Sequence, residues 1–445
     1  MVNVSVRYPP GLPYIVSNEA AERFSYYGMK CILVVFMTQY LRGISGELAP
    51  MTESEARYVY HLFSTANYFF PVIGALIADI AWGKYKTIIR LSIVYCLGHL
   101  VLALWETRSG LACGLTLIAI GSGGIKPCVS AHLGDQFTQK TSSLVTKAYS
   151  WFYVSINFGA FLSTILTPYL LEHCGPSVAF GVPGAFMFMA TIVFSMGRRR
   201  FRAIPAEGLQ KYAAAFKTSG VLFTLCRLLL LYSFVAVFWS LYDQTGSSWV
   251  LQAERMDRKI SVLGFFEFVL LPSQVQSLNP VLILFFTPLF AYGINPILAK
   301  HFQISDYGRV FLGMVLASFS FVIVAYAEYR ILGGVKTSIG WQALAYVVLT
   351  LSEVMVSITV LELSYRRSPA QIKSLVMGLF YLSVALGNAF TALVNYLLSK
   401  GIGASWIEGS GYYLFFAVLM AFTAFLFLCC QHLFAADEYF FDEVH

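Results

Sequence analysis

The chain has 445 residues, 58% of them hydrophobic and 12% charged, with a mean hydropathy of +0.69 and a formal net charge of +7. A soluble globular protein does not carry that composition, so the chain reads as a polytopic membrane protein. Its basic residues are divided among loops rather than gathered on one face, which argues against nucleic acid as a partner.

The first membrane-length segment, NEAAERFSYYGMKCILVVFMTQYL, carries Glu19, Glu22, Arg23, Tyr26, Tyr27 and Lys30. Their spacing is i, i+3, i+4, i+7, i+8 and i+11, which is one stripe of a helix. Charges at membrane depth each cost about 2.5–3.5 kcal/mol on insertion scales, so they persist where they face protein, a partner charge or a water-filled path. Glu19, Glu22 and Arg23 set two carboxylates against one guanidinium within a turn, a cluster that can trade a proton for a salt bridge. A static ion network is the competing reading. The flank MVNVSVRYPPGLPY has no basic n-region and no small-residue cleavage site, so no signal peptide is expected and the N-terminus should remain in the mature protein.

Apolar stretches of about 20 residues give twelve expected spans, near 14–41, 54–81, 86–105, 110–133, 145–171, 177–197, 218–248, 274–300, 308–332, 338–365, 370–399 and 409–434. The basic stretch RRRFRAIPAEGLQKYAAAFKT divides them into a six-helix bundle over 1–197, a cytoplasmic linker over 198–217 and a second bundle over 218–445. Lys84, Lys86, Lys140, Lys147, Arg198, Arg199, Arg200, Arg202, Lys300, Arg309, Arg366, Arg367 and Lys373 fall on the linker's side. The opposite side holds Arg108, Arg255, Arg258, Lys259, Lys336 and Lys400. Both termini are therefore expected in the cytoplasm of a cell with a plasma or bacterial inner membrane location. The acidic tail, Asp437, Glu438, Asp442 and Glu443, runs against this bias and is not explained by it.

Further along, polar residues interrupt apolar spans. In span two, His61 shares a face with Arg57, Thr65 and Tyr68, and an imidazole titrates near physiological pH; a hydrogen-bonded buried histidine is the alternative. Lys126 lies mid-span beside Gly123, Gly124 and Pro127, where an unpaired ammonium is too costly, so Glu22 or Glu19 is its expected partner. Asn279-Pro280 is expected to interrupt the helical hydrogen bonding of span eight, as happens where backbone lines a cavity. Glu353 sits near the middle of span ten with no cation within a turn, so its partner must come from another helix or a ligand, unless it is a buried acid kept neutral. The eight cysteines show no CxxC pattern and are expected to be buried thiols, without metal or disulfide roles. Adjacent Cys429 and Cys430 form a weak juxtamembrane acylation pattern.

The segments NEAAERFSYYG, GALIADIAWGKYKTI, GSGGIKPCVSAHLGDQF, FYVSINFGAFLS, FWSLYDQTGSSW and LELSYRRSPAQIKS occur in an order and spacing that resemble the proton-dependent oligopeptide transporter (POT) family. That resemblance implies an all-α membrane protein with the major facilitator superfamily fold, twelve transmembrane helices in two six-helix bundles. It implies a proton-coupling role for Glu19, Glu22, Arg23, Lys126 and His61. It places Tyr27, Lys30, Tyr68, Lys126, Tyr153, Asn157, Trp239, Asn279, Glu353 and Phe380 at substrate-binding positions, with Glu353 facing a peptide's amino terminus and Lys126 and a helix-one cation facing its carboxylate. Tyrosine and tryptophan at such positions are also common as interface anchors or packing residues. Asp243 resembles a gate aspartate with Arg57 or Arg227 as its partner, and Asp79 with Lys84 or a neighbouring helix end resembles a superfamily latch. Lys30 stands where the family usually has arginine, replacing a bidentate fork by a point charge, Phe380 replaces a usual tryptophan and Ala160 a usual serine. The linker is too short for the extra helix pair common in bacterial members, and the loop LGGVKTS after span nine lacks the large domain of the animal transporters.

The expected activity is proton-coupled symport of di- and tripeptides by alternating access, with the proton as coupling ion, the bilayer as solvent, and no cofactor, metal or obligate protein partner. A carrier of nitrate or another small anion or metabolite, or a nutrient receptor on the same fold, is the alternative. Neither HExxH nor a nucleophile–base pair occurs, so an enzyme is not expected.

Overall fold

The computed structural model describes residues 7–202, 204–206, 208–215, 220–262, 266–290, 305–367, 373–402 and 406–434. The acidic tail, Lys300 and the second half of span eight lie outside these residues.

The first half contains α1 (Leu12–Val35), α2 (Glu53–Ile77), α3 (Lys84–Leu104), α4 (Arg108–Asp135), α5 (Val145–Cys174) and α6 (Pro176–Met196). A short α7 (Leu209–Ala215) lies in the linker, followed by α8 (Val221–Tyr242) and α9 (Ser248–Glu254). The remaining helices are α10 (Leu278–Pro288), α11 (Asp306–Leu332), α12 (Gly340–Glu353), α13 (Thr359–Arg367), α14 (Lys373–Ser399) and α15 (Ser410–Phe434). Among the described residues ten helical stretches are long and apolar enough to cross a membrane. Of the two other expected spans, the first forms α1 but carries four charged side chains, and the eighth is described only to residue 290.

Wider π turns follow three helices directly: Phe36–Tyr40 after α1, Ala78–Trp82 after α2 and Val354–Ile358 after α12. The last begins one residue beyond Glu353, and the second contains Asp79. Such widenings concentrate at functional positions, and hydropathy carries no trace of them. The all-α expectation needs one amendment. After span seven, β1 (Lys259–Val262) pairs antiparallel with β2 (Phe266–Val269), with Lys259 opposite Val269 and Val262 opposite Phe266. Beside this hairpin Lys336 bonds the partly exposed Asp257 at 3.0 Å and holds that carboxyl below its usual range.

The chain forms two compact units. The first comprises residues 1–32, 40–49 and 66–214; the second comprises 33–39, 50–65 and 215–445. The division therefore does not follow the linker alone, because the end of α1 and the first turns of α2 pack with the C-terminal half. Within the first unit, α3 packs on α4 and α6, and α5 packs on α6. Close approach depends on missing side chains: a Cβ on Gly74 of α2 would come within 2.3 Å of the Gly124 carbonyl of α4, and one on Gly159 of α5 within 2.4 Å of the Ala20 carbonyl of α1. Both contacts lie beside the charged residues of α1 and α4. In the second unit α11 packs on α12 and α15, and α8 packs on α14 and α15.

Cys31 and Cys128 are buried as expected, whereas Cys113, Cys174, Cys226 and Cys429 are exposed and every described cysteine is free. The expectation of burial assumed water as the only exterior. A helix face that meets lipid accepts a thiol at no polar cost.

Candidate functional site

In the first unit the stripe of α1 turns inward. Glu19 and Glu22 are 3% and 1% exposed, and Arg23 Nε lies 2.8 Å from Glu19 Oε1 and 2.7 Å from Glu22 Oε2. Ser122 of α4 donates to Glu22 Oε1 at 3.2 Å. One guanidinium thus holds two carboxylates one turn apart.

Lys126 lies near enough to Glu19 for the two charges to interact, one of the two partners expected from the sequence. Its ammonium also lies 4.0 Å from the centre of the Tyr26 ring and 4.3 Å from that of Tyr68, and Arg23 Nε contacts both glutamates directly. Pro127 has no N–H, so the Gly123 carbonyl one turn back loses its intrahelical partner beside this lysine. Lys30 lies over the same two rings at 5.9 and 5.8 Å, and Asn67 fixes the Tyr26 hydroxyl by donating to it at 2.8 Å. Two ammonium groups converging on the faces of two tyrosines form an arrangement suited to an anion. Tyr27 meets Tyr26 edge-on at 5.3 Å. On α5, the buried Asn157 donates to the Tyr153 carbonyl at 3.0 Å, so both sit on one turn of that helix.

The second unit holds a separate acid. Asn279 Nδ2 donates to Glu353 Oε2 at 2.8 Å and to Thr350 Oγ1 at 3.2 Å, and the Tyr242 hydroxyl donates to Asn279 Oδ1 at 3.2 Å. Asn279-Pro280 does not interrupt a span: it occupies the second and third positions of α10, where the backbone N–H groups have no intrahelical acceptor to lose. Trp239 stands 5.2 Å from Tyr242 and 6.4 Å from Phe380, edge-on to both. Its buried indole N–H finds no acceptor among the described residues.

His61 is enclosed in the second unit. Its Nδ1 lies 2.8 Å from Asn388 Oδ1 and its Nε2 lies 2.9 Å from Ser247 Oγ, and Asn388 Nδ2 donates to Asp243 Oδ2. A carboxylate only accepts, so the Asn388 amide nitrogen must face Asp243 and its oxygen must face His61. His61 Nδ1 therefore carries a proton. The Ser247 hydroxyl can donate to Nε2 or accept from it, so the network fits both the neutral and the charged imidazole. Thr65 bonds the His61 carbonyl at 2.8 Å, whereas Tyr68 from the same predicted face belongs to the first unit.

The expected charge partners of Asp243 need correction. Arg227 precedes it by sixteen residues along α8, about 24 Å at 1.5 Å per residue, and lies over the Phe223 ring instead. Arg57 lies over the Tyr412 ring at 4.7 Å. Lys84, expected to pair with Asp79, meets Asp135 Oδ2 at 2.6 Å. Asp135 ends α4, where the partial negative charge of the helix terminus adds to the attraction. Ser247 and Asp135 lie within the motifs quoted above, and Asn388 is one of two amides, with Asn395, in an apolar span.

Residues 85–219 and 216–409 match the POT family. The chain is 37% identical over 407 residues to mouse solute carrier family 15 member 2, covering 79% of this chain and 53% of that protein. It is 40% identical over 371 residues to Drosophila melanogaster peptide transporter family 1, covering 73% of this chain and 48% of that protein. The chain thus spans about half the length of the curated relatives it matches. Among solved structures it resembles the POT family transporter PepTSo, with a TM-score of 0.84 at 30% identity, covering 96% of this chain and 99% of that one. A second, a proton-dependent oligopeptide family transporter, gives a TM-score of 0.78 at 33% identity over 94% of this chain and 100% of that one. The fold is accordingly that of the major facilitator superfamily. A membrane-spanning chain with these motifs, this fold and a family match over most of its length belongs to the POT family.

Proposed function

We propose that this protein is a proton-coupled symporter of di- and tripeptides that works by alternating access. The observation that carries the reading is the buried Glu19–Arg23–Glu22 cluster on the same helix as Lys30. It puts a proton acceptor and an anion-attracting lysine on one rigid element. Within the first unit Lys30 and Lys126 suit a carboxylate; within the second, Glu353 suits an amino group. Tyr27, Tyr68, Tyr153, Asn157 and Asn279 offer hydrogen bonds to peptide backbone, and the indole N–H of Trp239 is a further donor. Trp239 and Phe380 form an apolar wall for side chains.

Glu22 with Glu19 takes the coupling proton, and His61 serves as a second acceptor beside Asp243. Asp243 and Arg57 belong to one gate in this reading, with Asp243 acting through Asn388. Lys84 and Asp135 form the opposite latch, with Asp79 beside them. The Lys and Arg distribution supports cytoplasmic termini in a plasma or bacterial inner membrane. A potential of 100 mV supplies about 2.3 kcal/mol per proton, close to a fifty-fold gradient of a neutral cargo. The testing experiment is uptake of a labelled dipeptide into proteoliposomes under an inward proton gradient, with labelled nitrate in parallel. Gradient-dependent accumulation of the dipeptide is expected, and accumulation of nitrate alone would overturn the peptide reading.

A further inference from the structure

The end of α6 carries positive charge that the function proposed above does not use. Arg198, Arg199, Arg200 and Arg202 are exposed, and among the described residues none of them has a carboxylate within ion-pairing distance. Lys84, at the start of the neighbouring α3, is by contrast neutralised by Asp135. The arginines do not hang from a loose loop. Arg200 N donates to the Gly197 carbonyl at 2.8 Å, which closes a tight turn. Phe201 then packs back into the unit, its ring 4.9 Å from both His132 of α4 and Phe194 of α6, 6.0 Å from Tyr85 of α3 and 6.4 Å from Tyr14 of α1. Two bare positions make room for it: a Cβ on Gly11 would come within 2.7 Å of this ring, and one on Gly197 within 2.5 Å. The next residue is fixed as well. Arg202 N donates to Gln136 Oε1 at 2.9 Å and its Nη1 to the Phe137 carbonyl at 3.1 Å, while the buried Gln136 amide is oriented by donating to the His132 carbonyl at 3.0 Å.

Just before this turn, Phe188, Met189, Ile192 and Met196 form one outward stripe of α6 and are 45–67% exposed. Such a stripe on a membrane-spanning helix meets acyl chains, so the arginines that follow it stand at headgroup depth. A topology signal needs the charges but no fixed geometry. Here side chains from four helices hold the turn in place. We propose that the turn over 197–202 binds the phosphate of an anionic phospholipid headgroup, with the acyl chains lying along the outward stripe of α6. Guanidinium forks match phosphate oxygens bidentately and are weakly hydrated, which suits them to the interface. A zwitterionic headgroup brings its own cation to the arginines, so a net negative headgroup is preferred.

The test titrates the full chain in maltoside micelles with phosphatidylglycerol, with phosphatidylcholine of the same acyl chains and with glycerol 3-phosphate, counting bound molecules by native mass spectrometry. Phosphatidylglycerol should bind at least about fivefold more tightly than phosphatidylcholine, and glycerol 3-phosphate far more weakly than either lipid. A basic residue at an anionic surface contributes about fivefold in affinity. Arg199→Gln should therefore weaken phosphatidylglycerol about fivefold, and the combined Arg198→Gln, Arg199→Gln and Arg200→Gln should erase the preference between the lipids. Lys147→Gln, which removes an exposed charge at the start of α5, should stay within about twofold of native. Phe201→Ala keeps every charge but frees the turn, and should weaken phosphatidylglycerol by about threefold or more. Native peptide exchange reports that each variant folds. Equal binding of the two lipids, a preference that survives the triple substitution, or a loss in Lys147→Gln as large as in Arg199→Gln overturns the site. Glycerol 3-phosphate binding as tightly as phosphatidylglycerol would make this a free-phosphate site and overturn the lipid assignment. Native affinity in a folded Phe201→Ala would show that the charges act without the fixed turn, and the built site falls.

Discussion

Neutralising Glu353 and neutralising the peptide's amino terminus should be redundant changes. In the structure the Glu353 carboxylate accepts from one neutral donor, Asn279 Nδ2 at 2.8 Å, while the Tyr242 hydroxyl donates to Asn279 Oδ1. A carboxylate has about four lone-pair sites, so this leaves room for an ammonium. A hydrogen bond to a charged partner in such a setting contributes about 1.5–3 kcal/mol, or roughly 10- to 150-fold in affinity. An N-acetylated dipeptide should therefore compete for uptake roughly 10- to 150-fold less well than the free dipeptide in the native protein. In Glu353→Gln most of that preference should vanish, because the amide offers neither the charge nor two accepting oxygens. Competition against a labelled dipeptide, with the four combinations of protein and ligand, isolates the coupling from general damage. Lys126→Gln serves as the control, expected to erase the penalty for C-terminal amidation and to leave the acetylation penalty alone. An acetylation penalty that is the same in native protein and Glu353→Gln would show that this glutamate does not meet the amino terminus.

Glu22→Gln removes the acid held 2.7 Å from Arg23 while Glu19 keeps its own contact; uphill uptake should drop at least about tenfold and exchange should change little, as counterflow assays would reveal. Asp243→Asn weakens the charged end of the Asp243–Asn388–His61 chain, so turnover should slow more than peptide affinity falls, and normal turnover with unchanged conformer populations by spin-label distances would contradict this. For the partly exposed Lys84–Asp135 pair, a double-mutant cycle with Lys84→Met and Asp135→Asn should give a coupling of about 0.5–1 kcal/mol in thermal unfolding, and additive effects would remove the latch.

The amino-acid sequence by itself determined the solvent, the helical spans and the inward stripe of α1, since these depend on hydropathy and on a 3.6-residue repeat that local chain geometry enforces. Burial of Glu19, Glu22 and Lys30 follows from that repeat and the cost of charge in lipid. What the repeat does not carry is the identity of a partner on another helix. Arg227 and Asp243 are compatible as charges, yet the rigid rise of α8 separates them. Lys84 is near Asp79 in sequence but meets Asp135, 51 residues away, because α3 and α4 pack side by side. The His61–Asn388 contact joins residues 327 apart, and no spacing rule reaches that far. The π turn after Glu353, the two tyrosine rings beneath Lys126 and the grouping of the first turns of α2 with the C-terminal half were likewise decided by tertiary packing. Each depends on which helix faces fit together, and many sequences with the same hydropathy would fit them differently.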